Sequence, residues 1–245
     1  MYRIAVFSDV HANLPALEAV LAAIEEEKPD TVLCLGDLVD FAPWPNEVIQ
    51  EIQSRKICTL MGNHDERIAF DLKLVPLAKH SLEEREARVL AIDWTRRAVS
   101  AASKNFLASL PRSFEISFGL PGRSRRILFV HASLASLDEY IYEDHPEEDL
   151  VAKMAAEGAD VLVMGHTHLP YVRSLTGGSR LAVNVGSVGR SKEPSRLASF
   201  AMLEVQEDLV EVRLHRVSYD LKRTQMAISE SSIPDFYAEF LSPAF

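Results

Sequence analysis

One apolar run after another in this chain stops at side chains that can bind a cation. Tyr2–Phe7 ends at Ser8-Asp9, with His11 just beyond it. Thr31–Leu35 ends at Gly36-Asp37, and Ile57–Met61 ends at Gly62-Asn63-His64. Arg126–Val130 ends at His131, and Val161–Met164 at Gly165-His166, with His168 following. Short runs of this kind, rich in β-branched and aromatic residues, read as strands. Helix signals separate the first three. Leu14, Leu17, Val20, Leu21 and Ile24 recur at helical spacing after Asn13, and Val48, Ile49 and Ile52 share a face after Pro45. Pro15 and Pro45 suit a first helical turn, where the missing N–H has no partner to lose. The order β-α-β-α-β calls for a parallel sheet with right-handed crossovers. In such a sheet ligands gather outside the carboxyl ends of the strands. Residues remote in sequence therefore share one edge.

The remainder of the chain divides by pattern. From about residue 68 to 109, Ala, Leu, Glu and Arg dominate, which predicts two or three helices forming a cap-like segment over the mouth of the sheet. Ser113–Phe118 and Arg126–Val130 read as a hairpin around Gly119-Leu120-Pro121-Gly122. A helix is expected from Pro146 to Glu157, stopping at Gly158. Leu181–Val185, Ala198–Val205 and Val210–Val217 read as a second set of strands, mainly antiparallel. Ser231–Phe245 reads as a terminal helix or tail, whose Phe236, Tyr237, Phe240 and Phe245 imply self-association or packing back onto the domain. With no repeat or linker, residues 1–245 are expected to form one domain.

The formal net charge is −10. A surface of that sign repels polyanions, so nonspecific binding to nucleic acid or to an anionic membrane is not expected. A small phosphorylated substrate remains compatible, because bound cations reverse the potential inside a cleft. Cys34 and Cys58 both fall in strand-like runs and are expected to be buried free thiols. They do not form a disulfide framework. Tyr2–Phe7 follows the first residue directly, with no basic segment and long apolar stretch, and no run of eighteen apolar residues occurs. The expectation is a cytoplasmic protein without a membrane span; its oligomeric state is left open.

The motifs Asp9-x-His11, Gly36-Asp37, Gly62-Asn63-His64-Asp65, His131 and Gly165-His166-x-His168 stand in one order and spacing. Together they resemble the calcineurin-like metallophosphoesterase superfamily, from Ile4 to about Gly189. The likeness is greatest to a small bacterial phosphodiesterase-like branch related to dinucleoside tetraphosphate hydrolases. Asp37-Leu38-Val39 leading to Pro45-Asn46-Glu47-Val48-Ile49 carries that likeness, as does Asn184-Val185-Gly186-Ser187-Val188-Gly189. The resemblance implies an α/β fold, a four-layer α/β/β/α sandwich of two mixed sheets packed face to face, with a dinuclear metal site at the strand ends. It implies that Asp9, His11 and His168 hold one metal, that Asn63, His131 and His166 hold the other, and that Asp37 bridges them. Mixed imidazole and carboxylate ligands suit manganese foremost, with iron, zinc or nickel as alternatives. Such a pair clamps the attacking and leaving oxygens of a phosphoryl transfer and lets a bridging water act as hydroxide near neutral pH.

The implied activity is hydrolysis of a phosphodiester or phosphoanhydride, with a nucleotide as one candidate. His64 would face the phosphoryl group, stabilising charge or protonating the leaving oxygen. Its orienting carboxylate is Asp40 or Asp65. Asp40 stands where protein Ser/Thr phosphatases of the superfamily place such an acid, and where the small bacterial branch more often carries glycine. A protein Ser/Thr phosphatase-like phosphomonoesterase is therefore the alternative, although Phe41 stands where an arginine follows in those enzymes. A non-catalytic metal-bound binding module is the alternative from another class, and it would have lost His64 or a ligand. Arg67 and Arg190 are candidates for bidentate phosphate contact or for solvated salt bridges. Phe41 and Trp44 either stack on a nucleobase or pack under the following helix. His80, His145 and His215 match no motif, and the charges from Glu83 to Arg97 read as solvated helix faces.

Overall fold

A computed structural model describes residues 1–76, 81–120, 123–206 and 209–243. In chain order the elements are β1 (Tyr2–Phe7), α1 (Leu14–Glu27), β2 (Thr31–Cys34), α2 (Pro45–Ser54), β3 (Cys58–Thr59), α3 (Asn63–Ala69), α4 (Leu82–Ala98), α5 (Ala101–Ala108), β4 (Ser113–Leu120), β5 (Arg123–Val130), α6 (Glu147–Ala156), β6 (Val161–Met164), β7 (Tyr171–Leu175), β8 (Arg180–Asn184), β9 (Ala198–Val205), β10 (Val210–Val217), α7 (Leu221–Ser229) and α8 (Phe236–Phe240). Local chemistry explains the boundaries. The Asn13 side chain accepts from Ala16 N at 3.3 Å and opens α1, Pro15 lies in its first turn, and Lys28 closes it in the left-handed region at φ 50°.

The strands form two sheets in the orders β10-β9-β1-β2-β3 and β4-β5-β6-β8-β7. Within the first, β1, β2 and β3 pair in parallel, while β9 runs antiparallel to both β1 and β10. In the second, β5, β6 and β8 are parallel, and β4 and β7 close the edges antiparallel. Side-chain alternation builds the layers. Ile4 and Val6 of β1 meet Phe129 of β5 and Val163 of β6 between the sheets. Ala5 and Phe7 point the other way, onto Leu17 and Val20 of α1 and Ile49 and Ile52 of α2. Leu162 and Met164 of β6 pack beneath Leu150 and Met154 of α6. Strands covered on both faces read as unbroken apolar runs, which is why the sequence pattern found them. The result is an α/β/β/α sandwich.

The fold corrects several expectations. Leu181–Val185 does not group with the later strands: β8 joins β6 in parallel, whereas β9 and β10 extend the first sheet through β1. β7 and α7 are additional elements, and β3 is shorter than the Ile57–Met61 run. Cys34 is buried, but Cys58 is exposed, because it lies on that brief edge strand. The chain after Ser231 packs back onto the body, with Tyr237 and Leu241 buried beside Phe41, Ala87 and Ala91. Pro121, Gly122, His80 and Phe245 lie outside the described residues. No helix among the described residues is long and apolar enough to cross a membrane.

Candidate metal centre and its cleft

The loops that follow β1, β2, β3, β5 and β6 bring the predicted donors together. Asp9, His11 and His168 form one buried group, and Asp37, His131 and His166 form another; within each, the donor atoms lie within 4.8 Å of one another. Asn63 joins the second group, its Oδ1 3.1 Å from His131 Nε2. Asp37 reaches both, with Oδ2 3.8 Å from His11 Nε2 and 3.4 Å from His131 Nε2.

Hydrogen bonds behind the donors set their tautomers. His11 Nδ1 contacts the Val39 carbonyl at 3.1 Å, His131 Nδ1 the Leu35 carbonyl at 2.9 Å, and His168 Nδ1 the Arg190 carbonyl at 2.6 Å. Each contact places a proton on Nδ1 and so aims Nε2 at the centre. His11 Nε2 and His168 Nε2 then face each other 3.2 Å apart. Two lone pairs at that distance repel, and a cation between them removes the conflict. Among the described residues, Asp9 Oδ1 and His166 Nε2 are buried without a hydrogen-bond partner, which leaves them available in the same way. The residues fit metal ions.

The electrostatics agree. Burial, then the neighbouring His168, lowers His11 to about 3. Burial, then His131, lowers His166 to about 3. Both are held in the neutral form that a metal requires. His131 differs: burial would lower it, but the adjoining Asp37 outweighs that and pushes it up to about 10.

His64 stands at the start of α3 beside Asn63, and its Nδ1 meets Asp40 Oδ2 at 2.5 Å. Asp65 lies elsewhere. Its carboxylate accepts from the backbone N–H groups of Asp37 at 2.7 Å, Leu38 at 2.8 Å and Gly62 at 2.9 Å, tying the second ligand loop to the third. Gly62 is required by close approach, since a Cβ at that position would collide with the Asp37 carboxylate. Arg67 and Arg190 both line the cleft over the donors, as does Phe41. Phe41 is also packed, stacked on Tyr237 at 4.6 Å. Trp44 does not line the cleft; it lies under Arg223 at 5.7 Å. His145 pairs with Asp149, and His215 stacks on Phe200; neither lines the cleft.

Arg88, Tyr140 and Tyr237 are among the cleft residues that escaped the sequence pattern. Arg88 is buried on α4, within the stretch expected to be solvated. Tyr140 lies 4.1 Å from the His166 ring, and Tyr237 comes from α8. Only a regular apolar face on α4, Ala87 and Ala91 flanking Arg88, signalled that this arginine turns inward.

A sequence profile described as the calcineurin-like phosphoesterase superfamily domain matches residues 2–208. An uncharacterised protein of Methanocaldococcus jannaschii is 28% identical over 254 residues, covering 97% of this chain and 96% of that protein. The crystal structure of a metallophosphoesterase from Sphaerobacter thermophilus superposes with a TM-score of 0.76 at 28% identity, over 99% of this chain and 98% of that one. A hypothetical protein of Pyrococcus horikoshii shares the fold, with a TM-score of 0.82 at 24% identity over 100% and 99% of the two chains. Sheet edges that converge buried imidazoles and carboxylates beneath a cleft are those of a metal-binding phosphoesterase. The chain belongs to the calcineurin-like phosphoesterase superfamily.

Proposed function

We propose that this protein uses two divalent transition-metal ions, manganese foremost, to hydrolyse a phosphodiester or phosphoanhydride of a small molecule. The observation that carries this reading is the position of Asp37 Oδ2 between two groups of buried donors, 3.8 Å from His11 Nε2 and 3.4 Å from His131 Nε2. A single carboxylate so placed suits a bridging ligand. Asp9, His11 and His168 would hold one ion, Asn63, His131 and His166 the other. When bound, such ions act as Lewis acids and lower the pKa of water.

The chain's own groups do the rest. Donation of Nδ1–H to Asp40 directs His64 Nε2 to the cleft. Burial holds free His64 neutral, well below its usual pKa, while a phosphoryl anion beside it favours the protonated form. His64 then donates from Nε2 to the leaving oxygen, and Asp40 keeps the ring in place. Arg67 follows from α3 and offers its guanidinium to the phosphoryl oxygens. Asp65 acts as a positioning residue through the backbone it holds. Residues 1–245 are read as one domain, supported by a first sheet that joins strands from both ends of the chain.

Protein stripped of metal and reloaded with Mn²⁺ is expected to hydrolyse bis(p-nitrophenyl) phosphate. The Asp40–His64 pair favours a second reading, a phosphomonoesterase, for which p-nitrophenyl phosphate would be the better substrate. Inactivity on both with metal bound would leave a non-catalytic binding module, against which the retention of His64 and every ligand stands.

A further inference from the structure

The cleft is much larger than one phosphoryl group needs. Its volume is about 670 Å³, in the range that accommodates whole small molecules. The wall opposite the strand ends comes from peripheral elements: Glu84 and Arg88 from α4, Tyr237 and Phe240 from α8, and Arg190 from the loop after β8. α8 lies beyond residue 208, where the match to the superfamily profile ends. On a chain of net charge −10, this cleft brings five cationic side chains, Arg67, Lys73, Arg88, Arg190 and Lys192, among the acids Asp37, Glu66, Glu84 and Asp138.

The arginines are poorly compensated. Arg67 and Arg88 are only 8% and 7% exposed, and the Arg190 side chain 12%. A buried cation is destabilising unless paired and hydrogen-bonded. Asp40 is 4.0 Å from Arg67 Nη1, and Glu84 is 3.9 Å from Arg190 Nη2, distances too long for hydrogen bonds. Among the described residues, Arg67 Nη1 and Arg190 Nε are buried without a hydrogen-bond partner. Arg88 Nη1 donates to the Val75 carbonyl at 3.2 Å, a neutral acceptor. Arg190 is also fixed in place. Its guanidinium carbon lies 4.7 Å from the Phe41 ring and 4.2 Å from the Phe240 ring, a stacking that leaves the in-plane N–H groups able to grip an anion. Glu84 and Arg88 are one turn apart on α4, so Arg190, beside Glu84, and Arg88 sit at neighbouring positions of the wall. Burial, then Arg67, lowers the pKa of Arg88, the direction expected of a buried cation beside another cation.

We infer that the substrate is a small phosphodiester or phosphoanhydride that carries a second phosphate, held by Arg88 and Arg190 between α4 and α8 while the scissile one meets Arg67 and the metal centre. This rests on the phosphoesterase reading, because it assigns the scissile phosphate to that centre.

Isothermal titration of the Mn²⁺-loaded protein separates the two claims. Butylphosphonate carries one anionic group; a short series of alkane-α,ω-bisphosphonates carries two at increasing separation. At the best separation the bisphosphonate is expected to bind about 30-fold tighter than butylphosphonate, as two added charge-assisted contacts allow. Arg88→Gln and Arg190→Gln should each cut that ratio roughly tenfold, with Arg88→Lys losing less. A ratio near one in the unsubstituted protein overturns the inference without recourse to any variant, and so does a ratio that survives both glutamine substitutions in folded protein. Turnover of bis(p-nitrophenyl) phosphate without this selectivity removes the second subsite alone. Selectivity without turnover of any phosphoester removes the hydrolase reading and leaves a site for a two-phosphate ligand.

Discussion

Asp40→Asn tests the proposed proton path most directly. The carboxylate is fully buried and its pKa is pushed up to about 7, chiefly by that burial. A neutral amide of nearly the same shape therefore adds no desolvation cost, and the fold should tolerate it. The loss falls on His64. The substituted amide still accepts from Nδ1–H through its carbonyl, but a hydrogen bond to a charged partner contributes about 1.5–3 kcal/mol and a neutral one about 0.5–1.5. The difference of about 1.5 kcal/mol sets a lower limit of roughly tenfold on the stability of the imidazolium. Two unit charges about 4 Å apart at an effective dielectric of about 20 interact by ~4 kcal/mol, which sets an upper limit near 10³-fold. That penalty matters only where the leaving oxygen needs a proton. With phenyl phosphate, kcat should fall by about 10- to 10³-fold; with p-nitrophenyl phosphate, whose leaving group departs as the anion, by less than about threefold. Elemental analysis should find the metal content unchanged. Equal losses on both substrates, or none on either, with metal retained, would refute a role for Asp40 through His64.

Chelation should lower the melting temperature by about 5–10 °C per site emptied, since free metal at about 100 times its Kd stabilises by ~2.7 kcal/mol and a chain of this size shifts ~2–4 °C per kcal/mol; an unchanged scan after verified metal removal counts against native-state metal binding. Asp65→Asn leaves at least one of three buried N–H groups without an acceptor, costing about 1–3 kcal/mol, so thermal unfolding should come earlier by roughly 2–12 °C while turnover per bound metal stays within several-fold. A collapse of turnover in fully metallated protein would give Asp65 a more direct part. A thiol reagent should modify Cys58 readily in native protein and Cys34 only after unfolding, because Cys34 is buried and its thiol is raised well above its ordinary pKa; equal reactivity of both would contradict the packing of β2.

The donor set was legible because it obeys a positional rule. Of the six strands in the two parallel cores, β1, β2, β3, β5 and β6 are apolar runs that lead into a residue with lone pairs to offer, so most of the sheet edge can be assembled from order alone. Pairing was less legible. Periodicity marks Ala198–Val205 as a strand but carries no record of its neighbour, and its partner β1 lies almost two hundred residues earlier. β7 is a five-residue edge strand with three of its side chains facing outward or half outward, which dilutes its apolar signal. α7 had a signal that could have been read: Asp220 caps it by accepting from Arg223 N at 2.9 Å, and Leu221, Thr224 and Ile228 share one face. Arg88 was hidden by chemistry itself. In a helix dense with Glu and Arg, a buried arginine and a solvated one are the same letter, and two flanking alanines, Ala87 and Ala91, are the sole and slight sequence hint that separates them.

Backbone strain is the part that no residue pattern announced. Asp9, His11, Asp37, His166 and His168 all occupy the left-handed region, with φ between 49° and 65°, where a non-glycine residue costs roughly 1–2 kcal/mol. Asp40 and Phe41 join them at 73° and 76°. Such geometry persists only where the surroundings over-determine it, and here the loops hold one another. Asp9 N donates to the Gly36 carbonyl, His11 N to the Asp37 carbonyl and Gly189 N to the Asp9 carbonyl, each at 2.9 Å; His166 N donates to Asp9 Oδ2, also at 2.9 Å. Each ligand loop is thus a brace for the next, and the donors are held by the backbone itself. Asp40 and Phe41 extend the same logic outward. Glycine would take these angles freely, but it would supply neither the carboxylate that meets His64 nor the ring that lies under Arg190. Strain at two consecutive non-glycine residues is therefore the cost of coupling the metal rim to the arginine wall, and it falls where the proposed proton path and the proposed second phosphate meet.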